Sequence, residues 1–412
     1  MRILFISEYY YPHIGGGEIS LKTIVDELGK EHDVHVLTGA HESAPAYEHD
    51  GNITIHRRIP NEASVSGLRS NLRRLFVTPQ RISREATELC REHEFDIIHL
   101  FGRSLLAAPR LSRLGIPLFH TINSYFALCP TGHLREPEGL LEPKPKLTTL
   151  IRTIYRAQEI GKTPNTWIYR YNPLAYAFLI TTMNRSRRAL SYCQLLAVGA
   201  FVQESLAHIG YESTIVYHPV EMSAYHAVEE HETDKPTILY LGAYTEFKGP
   251  QNVLKAAADT DARVVMHGSG PLKQELEELS ETLDVDAEIN DAIPHEETPE
   301  AYAKSDIVVV PTLHPEPSGR VAVEAMAAGK PVIGARSGGI PETIENADGL
   351  TYEPNDIEGL KDHIEHLIEN PQEAKEMGER AREAVEKVYS PEESCKHIVE
   401  QYRTVTDLSS PH

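Results

Sequence analysis

Two glutamates eight residues apart flank a glycine turn in the second half of the chain. The segment 314–332 reads HPEPSGRVAVEAMAAGKPV, with Glu316 and Glu324 on either side of Gly319. A helix that begins at this glycine would offer open backbone N–H groups at Gly319–Val321, and such groups bind phosphate with the help of the helix dipole. Glu324 could accept hydrogen bonds from a ribose diol, and Glu316 could reach the hydroxyls of a sugar.

Further polar and glycine residues follow the predicted strands nearby. Gly242 ends one strand, and Lys248 follows it at a distance at which its ammonium could neutralise a departing diphosphate. Gly268 and Gly270 follow the next strand, and small residues there let a nucleotide base approach the backbone. These types of residue in this order predict a nucleotide-diphosphate site.

The first half of the chain has its own candidate residues. Gly15, Gly16 and Gly17 follow the first predicted strand, and their spacing differs from the G-x-G-x-x-G of a dinucleotide site. His120 lies in a predicted strand, where a histidine without a catalytic role is one interpretation, and Asn123 just after it can bond a sugar hydroxyl but cannot act as a base.

These segments resemble, in the same order, the motifs of retaining GT-B glycosyltransferases of family GT4. The family pattern E-P-x-G-x-V-x-x-E-A-M-A-x-G-x-P-V matches residues 316–332 at every fixed position. The resemblance implies an α/β chain of the GT-B class, in which two Rossmann-like domains with parallel sheets face each other across a cleft. It also implies sugar transfer with retention from a nucleotide-sugar donor, without a metal or other cofactor.

Carried over residue by residue, the resemblance predicts two overlapping sets of site residues. The catalytic set is Glu316, Lys248, His120 and Asn123. The donor-binding set is Gly15, Gly16, Gly17, Gly242, Lys248, Gly268, Gly270, Ser318, Gly319, Arg320, Val321 and Glu324.

Two positions depart from the family pattern. Ala243 stands where the family usually has Arg, and Asn123 and Ser124 stand where it often has His and an acidic residue. Arg320 could supply the missing phosphate contact. The departures keep two alternatives open: an epimerase of the same fold, and a nucleotide-sugar-binding protein with little catalytic activity.

The pattern of apolar residues predicts two domains. Short apolar runs alternate with helix-length amphipathic segments, which is typical of parallel sheets covered by helices. We expect an N-terminal domain at 1–219 with a basic helical insert at about 141–190, a nucleotide-sugar domain at 236–388, and a helix at 389–412 that returns to the first domain.

Charge and composition limit the partners. The net charge is −21, and residues 221–412 carry 40 Asp and Glu against 16 Lys and Arg, which argues against a nucleic-acid partner. The insert is basic and aromatic, so it could contact an anionic membrane surface or a lipid-linked acceptor, or simply pack into the core. Four scattered cysteines and no apolar run of spanning length predict a cytoplasmic protein, which could be peripheral at the inner face of the cell membrane. The family resemblance implies a sugar or lipid-linked acceptor.

Overall fold

A computed structural model of the chain describes residues 1–13, 15–60, 68–129, 145–151, 173–226 and 234–406. It divides into two compact units, residues 1–219 with 391–412, and residues 220–390. The predicted linker at 220–235 therefore belongs to the second unit as far as it is described. Half of the predicted basic insert, residues 141–144 and 152–172, lies outside the described residues.

The first unit is built on an eight-stranded sheet in the order β3-β4-β2-β1-β5-β6-β7-β8. Its strands are β1 (Arg2–Ile6), β2 (Asp33–Gly39), β3 (Tyr47–Asp50), β4 (Ile53–Ile59), β5 (Ile97–Phe101), β6 (Leu118–Ile122), β7 (Gln194–Ala197) and β8 (Thr214–Ile215). All neighbouring pairs are parallel except β3 and β4, which form an antiparallel hairpin. The predicted parallel sheet is confirmed, but the hairpin strand β3 was not predicted, and the Asp50-Gly51 turn was its missed signal, because Gly51 has a φ of 56°.

Helices cover this sheet. They are α1 (Gly16–Leu28), α2 (Leu68–Phe76), α3 (Thr78–Glu92), α4 (Ala108–Leu111), α5 (Pro173–Leu190), α6 (Ala200–His208) and, from the end of the chain, α15 (Pro391–Thr406). The apolar pattern of the sequence predicts a single helix over 72–93, but the structure has a break at Val77. Pro79 lies in the first turn of α3, and proline disfavours a continuous helix through the residues before it.

The second unit has a six-stranded sheet, entirely parallel, in the order β11-β10-β9-β12-β13-β14. Its strands are β9 (Thr237–Leu241), β10 (Arg263–Gly268), β11 (Ala287–Asp291), β12 (Ile307–Val310), β13 (Val332–Ala335) and β14 (Leu350–Tyr352). Its helices are α7 (Ser223–His226), α8 (Pro250–Ala257), α9 (Lys273–Thr282), α10 (Thr298–Ala303), α11 (Arg320–Ala327), α12 (Ile340–Glu345), α13 (Ile357–Glu369) and α14 (Pro371–Tyr389). The sequence reading missed the edge strand β11 and the short helices α10 and α12.

The last helix is held in the first unit by a buried polar contact. Tyr402 of α15 is fully buried, and its hydroxyl lies 2.5 Å from Nδ1 of His99 on β5. The other ring nitrogen of His99 lies 2.8 Å from Oγ1 of Thr121 on β6. This chain of bonds satisfies polar groups that would otherwise be costly to bury, so it specifies where α15 docks.

Buried histidines are a feature of the first unit. His35 and His56 lie ring to ring, with Nδ1 of His35 3.1 Å from Nε2 of His56. Nδ1 of His120 donates to the carbonyl of Leu100 at 2.9 Å. Burial lowers the pKa of His56 and that of His120 to about 4, and it lowers the pKa of His99 well below its usual value. These histidines are therefore neutral in the folded protein near neutral pH.

We expect the free energy of unfolding to fall as the pH drops from about 6.5 towards 4. In that pH range the histidines bind protons in the unfolded chain but stay neutral in the folded protein. Each such histidine therefore lowers the free energy of unfolding by up to about 1.4 kcal/mol per pH unit. His120→Asn keeps a donor for the carbonyl of Leu100 but does not titrate. The free energy of unfolding of this variant, measured by urea unfolding with circular dichroism at several pH values, should therefore fall less steeply with decreasing pH. His208→Asn, on the exposed side of α6, is the control and should keep the wild-type slope. An H120N slope equal to that of the wild type would contradict this account.

Candidate active site

The helix between the two predicted glutamates begins where the glycine pattern predicted. Gly319 has a φ of 59° and ψ of 49°, in the left-handed region, and α11 starts at the next residue. A Cβ at Gly319 would lie 2.4 Å from Cδ1 of Ile340. Gly329, with a φ of 73°, follows the helix end. Because the first residues of a helix have no intrahelical partner for their N–H groups, the Gly319–Val321 backbone can receive an anion.

Glu316 and Lys248 form an ion pair beside this helix start. Nζ of Lys248 bonds Oε1 of Glu316, and the hydroxyl of Thr312 donates to the same oxygen at 3.3 Å. Nδ1 of His314 lies 4.0 Å from it. Burial of Glu316 acts to raise the pKa of its carboxyl, but Lys248 and His314 outweigh it and hold the pKa below its usual value. The site therefore contains a mostly buried, ionised carboxylate whose partner is a flexible ammonium.

The loop at Ser337-Gly338-Gly339 holds the backbone of Glu316. Glu316 and Gly338 form a parallel β-bridge, and the N–H of Gly339 donates to the carbonyl of Glu316 at 2.8 Å. Gly338 has a φ of 65°, and a Cβ there would lie 2.3 Å from that carbonyl oxygen. Only glycine fits this approach, so the loop positions the carboxylate through backbone contact.

Glu324 is buried in a separate polar cluster. It is 5% exposed, Nε of Arg320 donates to its Oε1 at 2.7 Å, and the hydroxyl of Tyr302 donates to its Oε2 at 3.2 Å. Burial raises the pKa of Tyr225 on α7, and the nearby negative charge of Glu324 raises it further. Arg320, which the sequence suggested as a substitute phosphate ligand for the arginine missing at Ala243, thus bonds Glu324 within its own helix.

The remaining predicted residues of this unit are at the carboxyl ends of β9, β10 and β12. A Cβ on Gly268 would lie 2.0 Å from the carbonyl of Gly242, and one on Gly270 would lie 2.4 Å from the carbonyl of Tyr244. These glycines are thus required by the packing of two turns around Tyr244, in addition to any role towards a ligand. The carbonyl of Ser318 accepts a bond from Thr343 at 3.2 Å, which fixes the turn before α11.

In the first unit the structure brings together some of the predicted residues and separates another. Gly15 is the residue before α1, Gly16 and Gly17 begin the helix, and a Cβ on Gly17 would lie 2.8 Å from Nδ2 of Asn123. His120 is instead 4% exposed within β6. This placement favours the strand-histidine interpretation over a catalytic one.

Three residues near the carboxylates were missed by the sequence reading: Thr312, Tyr302 and Tyr225. Tyr302 lies on α10, a helix of six residues that has too few positions for a periodic signal. Thr312 directly follows the predicted strand β12, so its position at a carboxyl end was an available signal. Tyr225 lies within the predicted linker at 220–235, where no pattern pointed to a site.

A groove of about 930 Å³ lies along another part of the second unit. It runs over one face of β9, β10 and β11 and is lined by residues such as Arg263, His267 and Glu288. None of the predicted site residues lines this groove, so its volume does not identify it as the active site. Within the described ranges, no group of three or more His, Cys, Asp or Glu side chains is arranged to hold a metal ion.

Comparisons with known families match both halves of the chain. The model described as Glycosyltransferase Family 4 matches residues 14–224, and the model described as Glycosyl transferases group 1 matches residues 221–384.

Named relatives differ in how much of the chain they match. The chain is 33% identical over 162 residues to the sulfoquinovosyl transferase of Arabidopsis thaliana, covering 38% of the chain and 31% of that protein. It is 31% identical over 154 residues to a GDP-mannose-dependent monoacylated phosphatidylinositol monomannoside mannosyltransferase of Corynebacterium glutamicum, covering 35% of the chain and 40% of that protein. The match thus spans less than half the length of these two relatives. An uncharacterised glycosyltransferase of Methanocaldococcus jannaschii is 24% identical and matches over 99% of both chains.

Solved structures match over nearly the full chain. The sucrose-phosphate synthase of Thermosynechococcus elongatus gives a TM-score of 0.73 at 18% identity, covering 99% of this chain and all of that one. HepE of Anabaena, solved in complex with UDP and glucose, gives 0.68 at 18% identity, covering 98% of this chain and all of that one. At these identities the likeness shows the fold, which is the GT-B fold predicted from the sequence.

We predict that Gly338→Ala destabilises the protein and disturbs the site. A methyl group at a φ of 65° costs about 1–2 kcal/mol of backbone strain, and the clash with Glu316 adds to it, so the free energy of unfolding should fall by at least about 2 kcal/mol. The matched control is Gly51→Ala, which has a φ of 56° with nothing within 4 Å of its Cβ and should cause the smaller loss. Equal losses in the two variants, measured by urea unfolding, would refute the contact with Glu316.

Proposed function

The chain belongs to glycosyltransferase family 4, and we propose that it transfers a sugar from a nucleotide-diphosphate sugar to an acceptor with retention at the anomeric carbon. The observation that carries this proposal is the Lys248–Glu316 ion pair beside the left-handed start of α11. A lysine, a helix N-terminus and a carboxylate on neighbouring loops are what a nucleotide-diphosphate sugar requires at its phosphates and its sugar hydroxyls.

When the donor binds, Lys248 exchanges the carboxylate of Glu316 for the diphosphate. In the structure the ammonium of Lys248 is paired with the carboxylate of Glu316. A diphosphate at the start of α11 attracts the ammonium more strongly than one carboxylate does, because it carries more negative charge. Lys248 then neutralises the diphosphate as it leaves, and Glu316, ionised already, accepts hydrogen bonds from the sugar hydroxyls.

Glu324 is suited to orient the ribose. Arg320 and Tyr302 each use one of its oxygens, and a carboxylate has further lone pairs to accept bonds from a diol. Its two partners hold it in one rotamer, so little conformational entropy is lost when the nucleotide binds. This is a positioning role with no proton transfer.

Transfer proceeds without a protein nucleophile or a metal ion in this proposal. Lys248 and the dipole of α11 supply the positive charge that the departing diphosphate needs. Holding the acceptor next to the donor in a reactive orientation supplies the rest of the rate enhancement. The acceptor is a sugar, a glycan or a lipid-linked molecule, and the last of these is supported by the phosphatidylinositol mannoside in the name of the Corynebacterium glutamicum relative.

We predict that Lys248→Gln and Glu324→Ala each weaken nucleotide binding. Loss of one charge-assisted hydrogen bond is worth about 1.5–3 kcal/mol, so the dissociation constant for UDP or GDP should rise about 10- to 100-fold in isothermal titration calorimetry. Lys255→Gln, at an exposed position of α8, removes the same charge as a control and should bind normally. Unchanged nucleotide affinity in both site variants would contradict the proposed donor site.

Product analysis tests the reaction itself. Nucleotide sugars that raise the melting temperature are incubated with the protein and candidate acceptors, and the anomeric coupling in the proton NMR spectrum of the product reports retention or inversion. Isomerised free sugar from the donor alone would indicate the epimerase alternative. Binding without any turnover would indicate a binding protein.

We also propose that an anionic membrane surface is a partner of the first unit. Exposed apolar side chains are concentrated in α2 and the described parts of the basic insert: Leu72, Phe76, Leu147, Ile151 and Leu174. The guanidinium of Arg185 on α5 lies 5.0 Å from the ring of Phe76, which joins the two helices. Basic residues beside exposed apolar ones are the usual composition of interfacial helices. Within the described part of the chain, no helix is both long and apolar enough to span a bilayer.

For this surface we predict that Leu72→Ser combined with Phe76→Ser reduces binding to vesicles of phosphatidylcholine with phosphatidylglycerol. Each apolar side chain withdrawn from the bilayer forfeits about 1.5–3 kcal/mol, so co-sedimentation should weaken at least about tenfold. Val388→Ser, an exposed apolar position of the second unit, is the control. Equal binding to vesicles of phosphatidylcholine alone would argue against the role of anionic lipid.

A further inference from the structure

The first unit carries a charged and aromatic cluster that the donor site does not use. The chain passes from β1 to β2 on one side and later returns to β5 on the other side of β1. The loops after β1 and β5 therefore diverge, and in open α/β sheets such a switch point leaves a crevice at the carboxyl ends of the strands, where ligands bind. Glu8 and Tyr9 follow β1, Arg103 follows β5, and Phe126 follows β6.

Arg103 lies in this crevice with its hydrogen-bonding groups unused. Its guanidinium is 4.4 Å from the centre of the Phe126 ring, and the residue is half-buried. Burial lowers the pKa of Arg103, while the charge of Glu8 opposes that effect. Among the residues that the structure describes, none accepts a hydrogen bond from this side chain. A guanidinium has five N–H donors in a rigid fork, and leaving them unsatisfied on partial burial is costly.

Arg74 of α2 brings a second positive charge to the same place. Its Nη2 donates to the hydroxyl of Tyr9 at 2.8 Å, and the Tyr9 ring stacks on His13 with 4.6 Å between the ring centres. Arg74 and Arg103 act on each other's charge, with Glu8 as the opposing carboxylate. Glu18 is the weakest of the four charges that act on Tyr9.

We propose that this crevice binds an oxyanion of the acceptor, a phosphate or a carboxylate, with the guanidinium of Arg103 as its bidentate partner. The proposal rests on the proposed function, since it names the chemical class of the acceptor. The planar fork of arginine matches the two oxygens of either group, and the Phe126 ring fixes the plane of the fork. Arg74 adds positive charge from α2 and holds Tyr9 beside the ligand. A neutral acceptor would leave the donors of Arg103 unsatisfied.

Binding of small sugar probes tests the proposal without knowledge of the natural acceptor. Glucose 6-phosphate, glucuronate and glucose are titrated into the full chain and followed by ligand-observed NMR. We expect one or both anionic sugars to bind at least about tenfold more tightly than glucose, and Arg103→Gln to abolish that advantage. Arg103→Lys should retain part of it, because the charge remains while the fork is lost. Arg113→Gln is the matched control, exposed in the loop that enters β6 at the opposite edge of the sheet.

Two outcomes would overturn the proposal. One is equal binding of the anionic sugars by R103Q and the wild type. The other is loss of their binding in Lys248→Gln while R103Q retains it, which would place the anion at the donor site. Circular dichroism of R103Q and R103K checks that both fold. UDP titration of the same proteins reports the donor site separately, so failure of UDP binding would count against the proposed function and leave the Arg103 result to be judged alone.

Discussion

A carboxylate removed from water must be paired, and this requirement organises the second unit around Glu316. Lys248, from the loop after β9, provides the opposite charge, and Thr312 and His314 approach the same carboxylate from the end of β12. The contact therefore ties together the carboxyl ends of two neighbouring strands of the sheet. Because Lys248 is a flexible point charge, the pair can open for a ligand that is more strongly charged than Glu316.

Close backbone approach is the second condition of the site. Gly338 fits against Glu316, Gly268 fits against Gly242, and Gly319 turns the chain into α11 with a left-handed backbone. In each case a Cβ would meet an atom at less than 2.5 Å. The glycines that the sequence suggested as ligand contacts thus also serve the packing of the loops, which keeps the carboxylates and the helix start in place before any ligand arrives.

Buried titratable groups are accommodated in two ways in this chain, as paired charges and as neutral histidines. In the second unit the buried charges are paired, as in Glu316 with Lys248 and Glu324 with Arg320. In the first unit Arg57 is likewise buried and paired, with Glu48, but several buried histidines stay neutral, and one of them, His99, links the last helix to the sheet through Tyr402. Arg103 is partly buried and charged, but no described residue accepts a hydrogen bond from it. This is why we propose a binding site at the carboxyl ends of the strands of the first sheet.

Sequence alone determined the inner strands, most of the long helices, the helix that begins after Gly319 and the family, because strand burial, helical periodicity and left-handed glycines are local properties that each leave a pattern. Local signals also decided some of the errors: Pro79 divides the helix predicted over 72–93, and the Asp50-Gly51 turn makes a hairpin. Only the tertiary structure decided which polar groups meet. Arg320 bonds Glu324 within its own helix, Tyr302 reaches the same carboxylate from α10, and the guanidinium of Arg103 stacks on the ring of Phe126, which follows the next strand. Such pairings depend on how distant segments come together at a sheet edge, and side chains far apart in the chain carry no mutual signal in one sequence.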